Sequence, residues 1–338
     1  MKQLWSPTTN YKSALDQFLC EINAHFNLEL NDYHSLWKWS TEDVERLWAF
    51  WWQHADLIVS SQPDKTLLAG GSFIKDSWFP NARLIFAENL LRFRDDQPAI
   101  VFRGEDGSRE ELSYKELFDL SASVANELQA LGIKAGDRVA AIMPNRPETV
   151  VAMLATTWLG AIWSSCSPDF GTDGILERFE QIEPSILIAI DGYQFKGSTI
   201  SVCQKVESIK NKLNCRSIVV NWQRCGQVSD AISWTALTKN KNPPPEFHQL
   251  RFNDPVYILF SSGTTGKPKC IVHGIGGTLL QHVKEHRIHT DISRKDVLFY
   301  FTTCGWMMWN WLISVLASKA SIVLFDGFPM FKKQDLLL

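Results

Sequence analysis

Nine consecutive residues, Ser261-Ser262-Gly263-Thr264-Thr265-Gly266-Lys267-Pro268-Lys269, follow the apolar run Val256 to Phe260 without a break. A polyphosphate needs several donors converging from one side with little side-chain bulk between them. Gly263 and Gly266 permit positive φ and close approach of backbone amides to an anion. The hydroxyls of Ser261, Ser262, Thr264 and Thr265 add rotatable donors, and Lys267 and Lys269 add charge. The expectation is a phosphate-gripping loop leaving a buried strand, and with it an ATP-dependent reaction. A P-loop would need four residues between its glycines and Ser or Thr after the lysine, whereas two intervene here and Pro268 follows Lys267. A solvated Ser/Thr/Gly hairpin loop is the plainer alternative.

Histidines offer less specific signals. His273 lies four residues past Lys269 and could approach a carboxylate or phosphate, or serve as a structural hydrogen-bonding residue. His282, His286 and His289 have the spacing to share one helix face and hold a metal. The interleaved Lys284, Glu285 and Arg287 favour a solvated face instead.

These residues must be positioned by the surrounding pattern. From Pro98 onward, strand-like and helix-like segments alternate. Ala99 to Arg103 with a turn at Gly104 to Ser108 reads as a hairpin, and Ser113 as the cap of a helix ending near Gly132. Asp137 to Met143 reads as a buried strand, Pro147 to Leu159 as a helix and Ala161 to Ser165 as a strand. A helix over Gly174 to Gln181 and a strand over Ile186 to Ile190 continue the rhythm. The alternation predicts an α/β fold, with helices over a largely parallel sheet and ligands at the carboxyl ends of its strands. Residues 11–60 read as helices, with Thr41 expected to cap a segment bearing Val44, Leu47, Trp48 and Trp51. The Pro-rich stretch Lys239 to Glu246 reads as a surface loop.

Composition bounds the rest. Across 338 residues, 45% hydrophobic and 21% charged content describes a globular chain with a large core. The net charge of -3 supplies no basic field for nucleic acid. No apolar run suits a membrane span and Met1 to Asn10 lacks an apolar signal region, so a cytoplasmic setting is expected. Seven cysteines lie apart with no C-x-x-C spacing, which suggests reduced core thiols. Of fourteen tryptophans, Trp5, Trp37, Trp39, Trp48, Trp51 and Trp52 crowd the start and read as packing residues.

The nonapeptide resembles the [ST]-[ST]-G-[ST]-T-G-x-P-K phosphate loop of the adenylate-forming acyl-CoA synthetase superfamily. Trp78-Phe79-Pro80-Asn81-Ala82-Arg83-Leu84 with Phe86 to Leu91, Ser167-Pro168-Asp169-Phe170-Gly171, and Thr302-Thr303-Cys304-Gly305-Trp306-Met307-Met308-Trp309-Asn310-Trp311 resemble segments of its acetoacetyl-CoA synthetases. The resemblance runs from Leu4 to about Pro329. It implies layered sheets with flanking helices, forming the N-terminal half of a large adenylating domain. It further implies a helical extension over residues 1–95 and a partial AMP-binding domain over residues 96–338.

The implied substrates are ATP with Mg²⁺, CoA and acetoacetate; acetate, propionate or butyrate is the alternative within the superfamily. Ser261 to Lys269 would hold the β- and γ-phosphates, and Trp306, Met307 and Met308 would shape the acyl pocket. Lys196 and Gly197 would lie near CoA, although Gln194 stands where the family has an arginine. No metal ligand is implied within this sequence.

Motifs that the family carries later, Y-G-x-T-E, T-G-D and a C-terminal lysine domain, are absent from this sequence. The family's catalytic glutamate and lysine would therefore lie beyond Leu338. The expectation is a truncated ligase of low or no activity alone, half of a split enzyme with a complementary C-terminal chain, or a non-catalytic remnant.

Overall fold

The computed structural model describes residues 12–239, 242–263 and 266–330. Three helices come first: α1 (Ala14–Phe26), α2 (Tyr33–Glu42) and α3 (Val44–His54). Capping boxes start two of them, Ser13 with Asp16 at α1 and Asp32 with Ser35 at α2. Thr41 caps no helix. It lies inside α2, where its hydroxyl donates to Lys38 O at 2.9 Å, and Asp43 precedes α3 instead. Phe18 and Ile22 of α1, Leu36 of α2 and Phe50 and Trp51 of α3 are all buried and join the hydrophobic core. Trp51 Nε1 donates to Leu280 O at 3.0 Å, and Arg287 Nη1 donates to Ala55 O at 2.9 Å. Trp52 stacks on Phe79 at 4.6 Å, while Trp37 is 50% exposed. Trp5 lies outside the described residues.

A short buried helix, α4 (Phe86–Leu90), leads into two sheets. The hairpin β1 (Pro98–Gly104) and β2 (Arg109–Ser113) is followed by α5 (Tyr114–Ala130), capped by Ser113 and Glu116 as the sequence indicated. Then come β3 (Arg138–Ile142), α6 (Pro147–Trp158), β4 (Ile162–Cys166), α7 (Thr172–Phe179) and β5 (Ile186–Ile190). A two-stranded ribbon, β6 (Gly192–Phe195) and β7 (Ser198–Ser201), precedes α8 (Cys203–Leu213), β8 (Arg216–Val220) and β9 (Ile232–Ser233). The chain continues through β10 (Pro255–Phe260), β11 (Cys270–Gly274), α9 (Ile275–Lys284), β12 (Val297–Phe299), α10 (Met307–Ser314) and β13 (Ser321–Asp326).

The larger sheet has the order β9-β8-β5-β3-β4-β10-β11 and is parallel except for the β10–β11 hairpin. The smaller has the order β12-β13-β1-β2, with its β1–β2 hairpin antiparallel. β3, β4 and β5 read as continuous apolar or small-residue runs because helices cover both faces, and nearly every residue in them is buried. Connections leave β3 and β4 in opposite directions across the sheet: β3 leads to its neighbour β4, and β4 leads back past β3 to β5. Such a reversal opens a crevice at the carboxyl ends of the two strands. The described part of the 239–246 stretch is a surface loop tied down by Asn126 donating to Pro243 O at 3.1 Å and Trp158 Nε1 to Pro245 O at 2.9 Å.

The Ser113 cap bonds Glu116 N, while Glu116 returns bonds to the Ser113 backbone and hydroxyl. Ser113→Ala is expected to cost about 1 kcal/mol, read as a lower urea midpoint at unchanged m-value.

Candidate active site

The loop after β10 is zipped at its base and exposed above it. Ser261 N–H donates to Lys269 O at 3.0 Å, and Lys269 N–H returns a bond to Ser261 Oγ at 2.9 Å. Ser261 Oγ is thus already engaged as an acceptor, so part of its role is to shape the loop. Gly263 has φ +72°, and a Cβ there would sit 3.0 Å from Gly266 O. Gly266 has φ +148° and donates its N–H to Gly263 O at 3.3 Å. Pro268 is buried and its carbonyl accepts from Gln181 Nε2 at 2.8 Å, pinning the loop to the end of α7. Ser262, Lys267 and Lys269 are exposed. Thr264 and Thr265 lie outside the described residues.

Two further segments meet at the crevice between β3 and β4. The Ser167–Gly171 turn continues β4, with Phe170 N–H donating to Ser167 O at 3.2 Å. Lys205 Nζ bridges Pro168 O at 2.8 Å and Phe170 O at 2.7 Å, and burial lowers its pKa. The Thr302–Trp311 segment descends onto the same strand ends. Cys304, fully buried, donates its thiol to Met143 O at 2.7 Å, and Ser165 Oγ donates to Cys304 O at 2.7 Å. Burial pushes the Cys304 thiol pKa far up and the Cys166 thiol to about 12, so both are inert neutral thiols here. Trp309 Nε1 donates to Asn145 Oδ1 at 2.9 Å, completing the anchor.

Beyond that anchor Met307 and Met308 emerge beside β11 and α9. With Trp311, Val272, His273 and Gln281, they help line a cleft of about 720 Å³. Trp306 stands outside this lining and is 65% exposed. His273 therefore shares a cavity with the two methionines.

The three-histidine face is split: His289 is exposed, as a solvated face would have it, while the other two are buried. His282 is 7% exposed and His286 fully buried, because the helix continues into a π-turn over Glu285–His289 that folds this face under α10. His282 Nδ1 pairs with Ser314 Oγ at 2.8 Å, and the His286 ring meets Trp311 edge-on at 4.6 Å. Burial pushes both pKa values down to about 3, with a neighbouring histidine adding to each shift. Among the described residues, no group of three or more His, Cys, Asp or Glu is placed to hold a metal.

Lys196 and Gly197 form the turn of the β6–β7 ribbon, and their amides are already occupied. Glu105, buried, accepts from Lys196 N–H at 3.0 Å, from Gly197 N–H, and from Phe328 N–H at 2.5 Å. Lys196 Nζ lies over the Phe328 ring at 4.8 Å and the Phe195 ring at 5.3 Å. Sequence reasoning missed Glu105, because its partners are distant in the chain and a single glutamate in a hairpin turn carries no signal.

Residues 86–338 match the AMP-binding enzyme family, and the chain belongs to it. The chain is 44% identical to the acetoacetyl-coenzyme A synthetase of Rhizobium meliloti (strain 1021), over 97% of this chain and 52% of that protein. It is 35% identical to the malonamoyl-CoA synthetase of Penicillium aethiopicum, over 97% of this chain and 48% of that protein. The fold matches the acetoacetyl-CoA synthetase structure from Streptomyces lividans with a TM-score of 0.92 at 34% identity, covering 97% of this chain and 52% of that one. The chain thus spans about half the length of the relatives it matches.

Glu105→Ala leaves three amides without their acceptor, two of them on exposed residues that water can reach. The expected loss is about 2 kcal/mol in urea unfolding. The buried histidines set an acid limit. They are neutral when folded but protonate in the unfolded chain below pH 6.5, so stability is complete above that pH and falls as pH drops toward 3. Asp326, whose pKa burial raises to about 7, works in the opposite sense between pH 3.8 and 7. His273 and His289, whose pKa values burial also lowers, act in the same sense as the two buried histidines, and against one carboxyl the four leave a net loss on acidification. His286→Phe is expected to remove part of this dependence, measured as the urea midpoint at pH 5 against pH 7.5.

Proposed function

We propose that this chain carries the ATP-gripping and acid-recognising part of an acetoacetate–CoA ligase. The supporting observation is that three segments converge at the carboxyl ends of adjacent strands: the loop after β10, the Ser167–Gly171 turn after β4, and the Cys304–Met308 corner above β3 and β4. The reaction has two halves. A carboxylate oxygen of acetoacetate attacks the α-phosphorus of ATP and pyrophosphate leaves, giving acetoacetyl-adenylate. The CoA thiol, losing its proton, then attacks the acyl carbon and AMP leaves.

The residues present suit a triphosphate. In the first half, negative charge grows on the departing pyrophosphate, where preorganised donors lower the barrier. Ser262, Gly263, Gly266, Lys267 and Lys269 are assigned that role together with Thr264, Thr265 and Ser261. Lys269 is the main charge, since its backbone is locked to Ser261. Mg²⁺ would enter with the nucleotide, and we assign it no ligand in this chain.

Met307 and Met308 form an adaptable apolar wall for a short acid, and Trp306 leads into it. The CoA contact falls to the Lys196 side chain, because Glu105 occupies the Gly197 amide. We retain residues 1–95 as a helical extension and residues 96–338 as the nucleotide-binding part. We propose a cytoplasmic setting, where ATP and CoA are supplied, and a complementary polypeptide would supply the remaining catalytic groups.

A second reading concerns the acid. The malonamoyl-CoA synthetase relative is named for a different acyl group, at 35% identity. Acetoacetyl and malonamoyl groups both carry a second carbonyl at C3. The substrate class is therefore short acids with a carbonyl at that position.

The deciding experiment is acetoacetate-dependent AMP release by this chain, alone and mixed with a polypeptide corresponding to the second half of the Rhizobium relative. Release in the mixture, favouring acetoacetate over acetate, is expected; release independent of acid, or favouring acetate, would sink the proposal. Lys269→Ala is expected to weaken ATP binding about tenfold, roughly the 1.4 kcal/mol scale of a charge-assisted contact. Calorimetric titration of the 338-residue chain reads that change directly.

A further inference from the structure

We propose that His273 reads the C3 carbonyl of the acid, donating a ring N–H to its oxygen, and so acts as a specificity-determining residue of the cleft. This rests on the cleft being the acyl site.

The argument starts from what the cleft offers. Its apolar side, Met307, Met308 and Trp311, accommodates any short hydrocarbon chain and would favour butyrate over a keto acid, because a carbonyl buried without a donor loses its bonds to water. A donor elsewhere in the lining would reverse that preference.

Three other polar side chains of the lining are engaged elsewhere. His282 Nδ1 is paired with Ser314 Oγ at 2.8 Å, Gln281 Nε2 donates to Glu285 Oε1 at 2.7 Å, and Asn253 Nδ2 donates to Trp78 O at 3.1 Å. Among the described residues, the ring nitrogens of His273 have no hydrogen-bond partner, although the residue is half-buried.

The position of the ring is fixed from behind. His273 stands opposite Tyr257 in the β10–β11 register, and the two rings lie 4.9 Å apart at 36°. The backbone of β11 holds it in the hairpin that carries the phosphate loop, so the donor and the loop keep a constant separation. Burial lowers the imidazole pKa, leaving one N–H to donate and no charge to favour the carboxylate end over the carbonyl.

The test is ligand-observed NMR titration of the 338-residue chain with acetoacetate and butyrate, which differ at C3. The wild-type chain is expected to prefer acetoacetate about tenfold. His273→Phe, which retains an aromatic ring beside Tyr257, should erase the preference by weakening acetoacetate while leaving butyrate unchanged. His273→Gln, which retains a donor, should restore part of it. Should the phenylalanine variant fail to fold, His273→Leu is read in its place.

Equal affinity of the wild-type chain for both acids would overturn the inference while leaving the acyl-site reading intact. So would equal weakening of both acids by His273→Phe, or loss of the preference in Thr278→Val alone. Binding of neither acid would remove the acyl-site reading itself, and the inference with it.

Discussion

The site depends on satisfying the backbone where two neighbouring strands end. A carbonyl at the end of a buried parallel strand has lost its ladder partner and cannot reach water. At β3 and β4 that demand is met from outside the sheet. The Cys304 thiol bonds Met143 O, and the Ser165 hydroxyl bonds Cys304 O in return. Trp163 Nε1 then supports Ser165 Oγ at 3.1 Å. Gly305 packs over the strand end, where a Cβ would make ordinary contact with Ser165 O at 3.5 Å. Satisfying the strand ends and placing the Met307–Met308 wall are therefore one event.

A second junction joins the sheets through charge. Arg146, 1% exposed, lies between Phe102 and Trp222 and pairs with Glu110 at 2.6 Å and Glu148 at 3.1 Å. Glu110 belongs to the smaller sheet, and Glu148 to α6 on the larger. A buried guanidinium without partners would be strongly destabilising, so the pairs fix the sheets' relative position more than they add stability. Glu105 works nearby in the same sense, drawing the β6–β7 turn and the residues after β13 onto one carboxylate.

The alternation of strands and helices was legible because β3, β4, β5 and β10 are short apolar runs bounded by turn residues, and caps such as Ser113 are local. The loop after β10 stood out as a candidate for the same reason, since the donors proposed to grip phosphate sit in nine adjacent residues. Thr41 misled because the motif before Val44 resembles a cap while the chain is already helical there. The His282 and His286 part of the histidine face misled because Lys284, Glu285 and Arg287 look like solvent signals, whereas His289 is exposed as they suggest. In the structure Arg287 is half-buried, donating to Ala55 O and Ala317 O, and the π-turn shifts the register that a regular helix would give. Glu105 and Arg146 act across long sequence separations, which no local pattern records.

The β10–β11 hairpin ties these strands of argument together. Its turn is the loop proposed to hold phosphate, its far strand bears His273, and its register with β4 sets its height against the strand-end crevice. The Ser261–Lys269 zipper closes the loop base without using the exposed lysine side chains, and Gly263 and Gly266 take backbone conformations that would strain other residues. Donors held in this way need little reorganisation when charge appears before them, which is the condition under which such groups lower a barrier most. One hairpin can therefore present a polyphosphate grip at its tip and a neutral donor along its flank, at a spacing set by the backbone ladder.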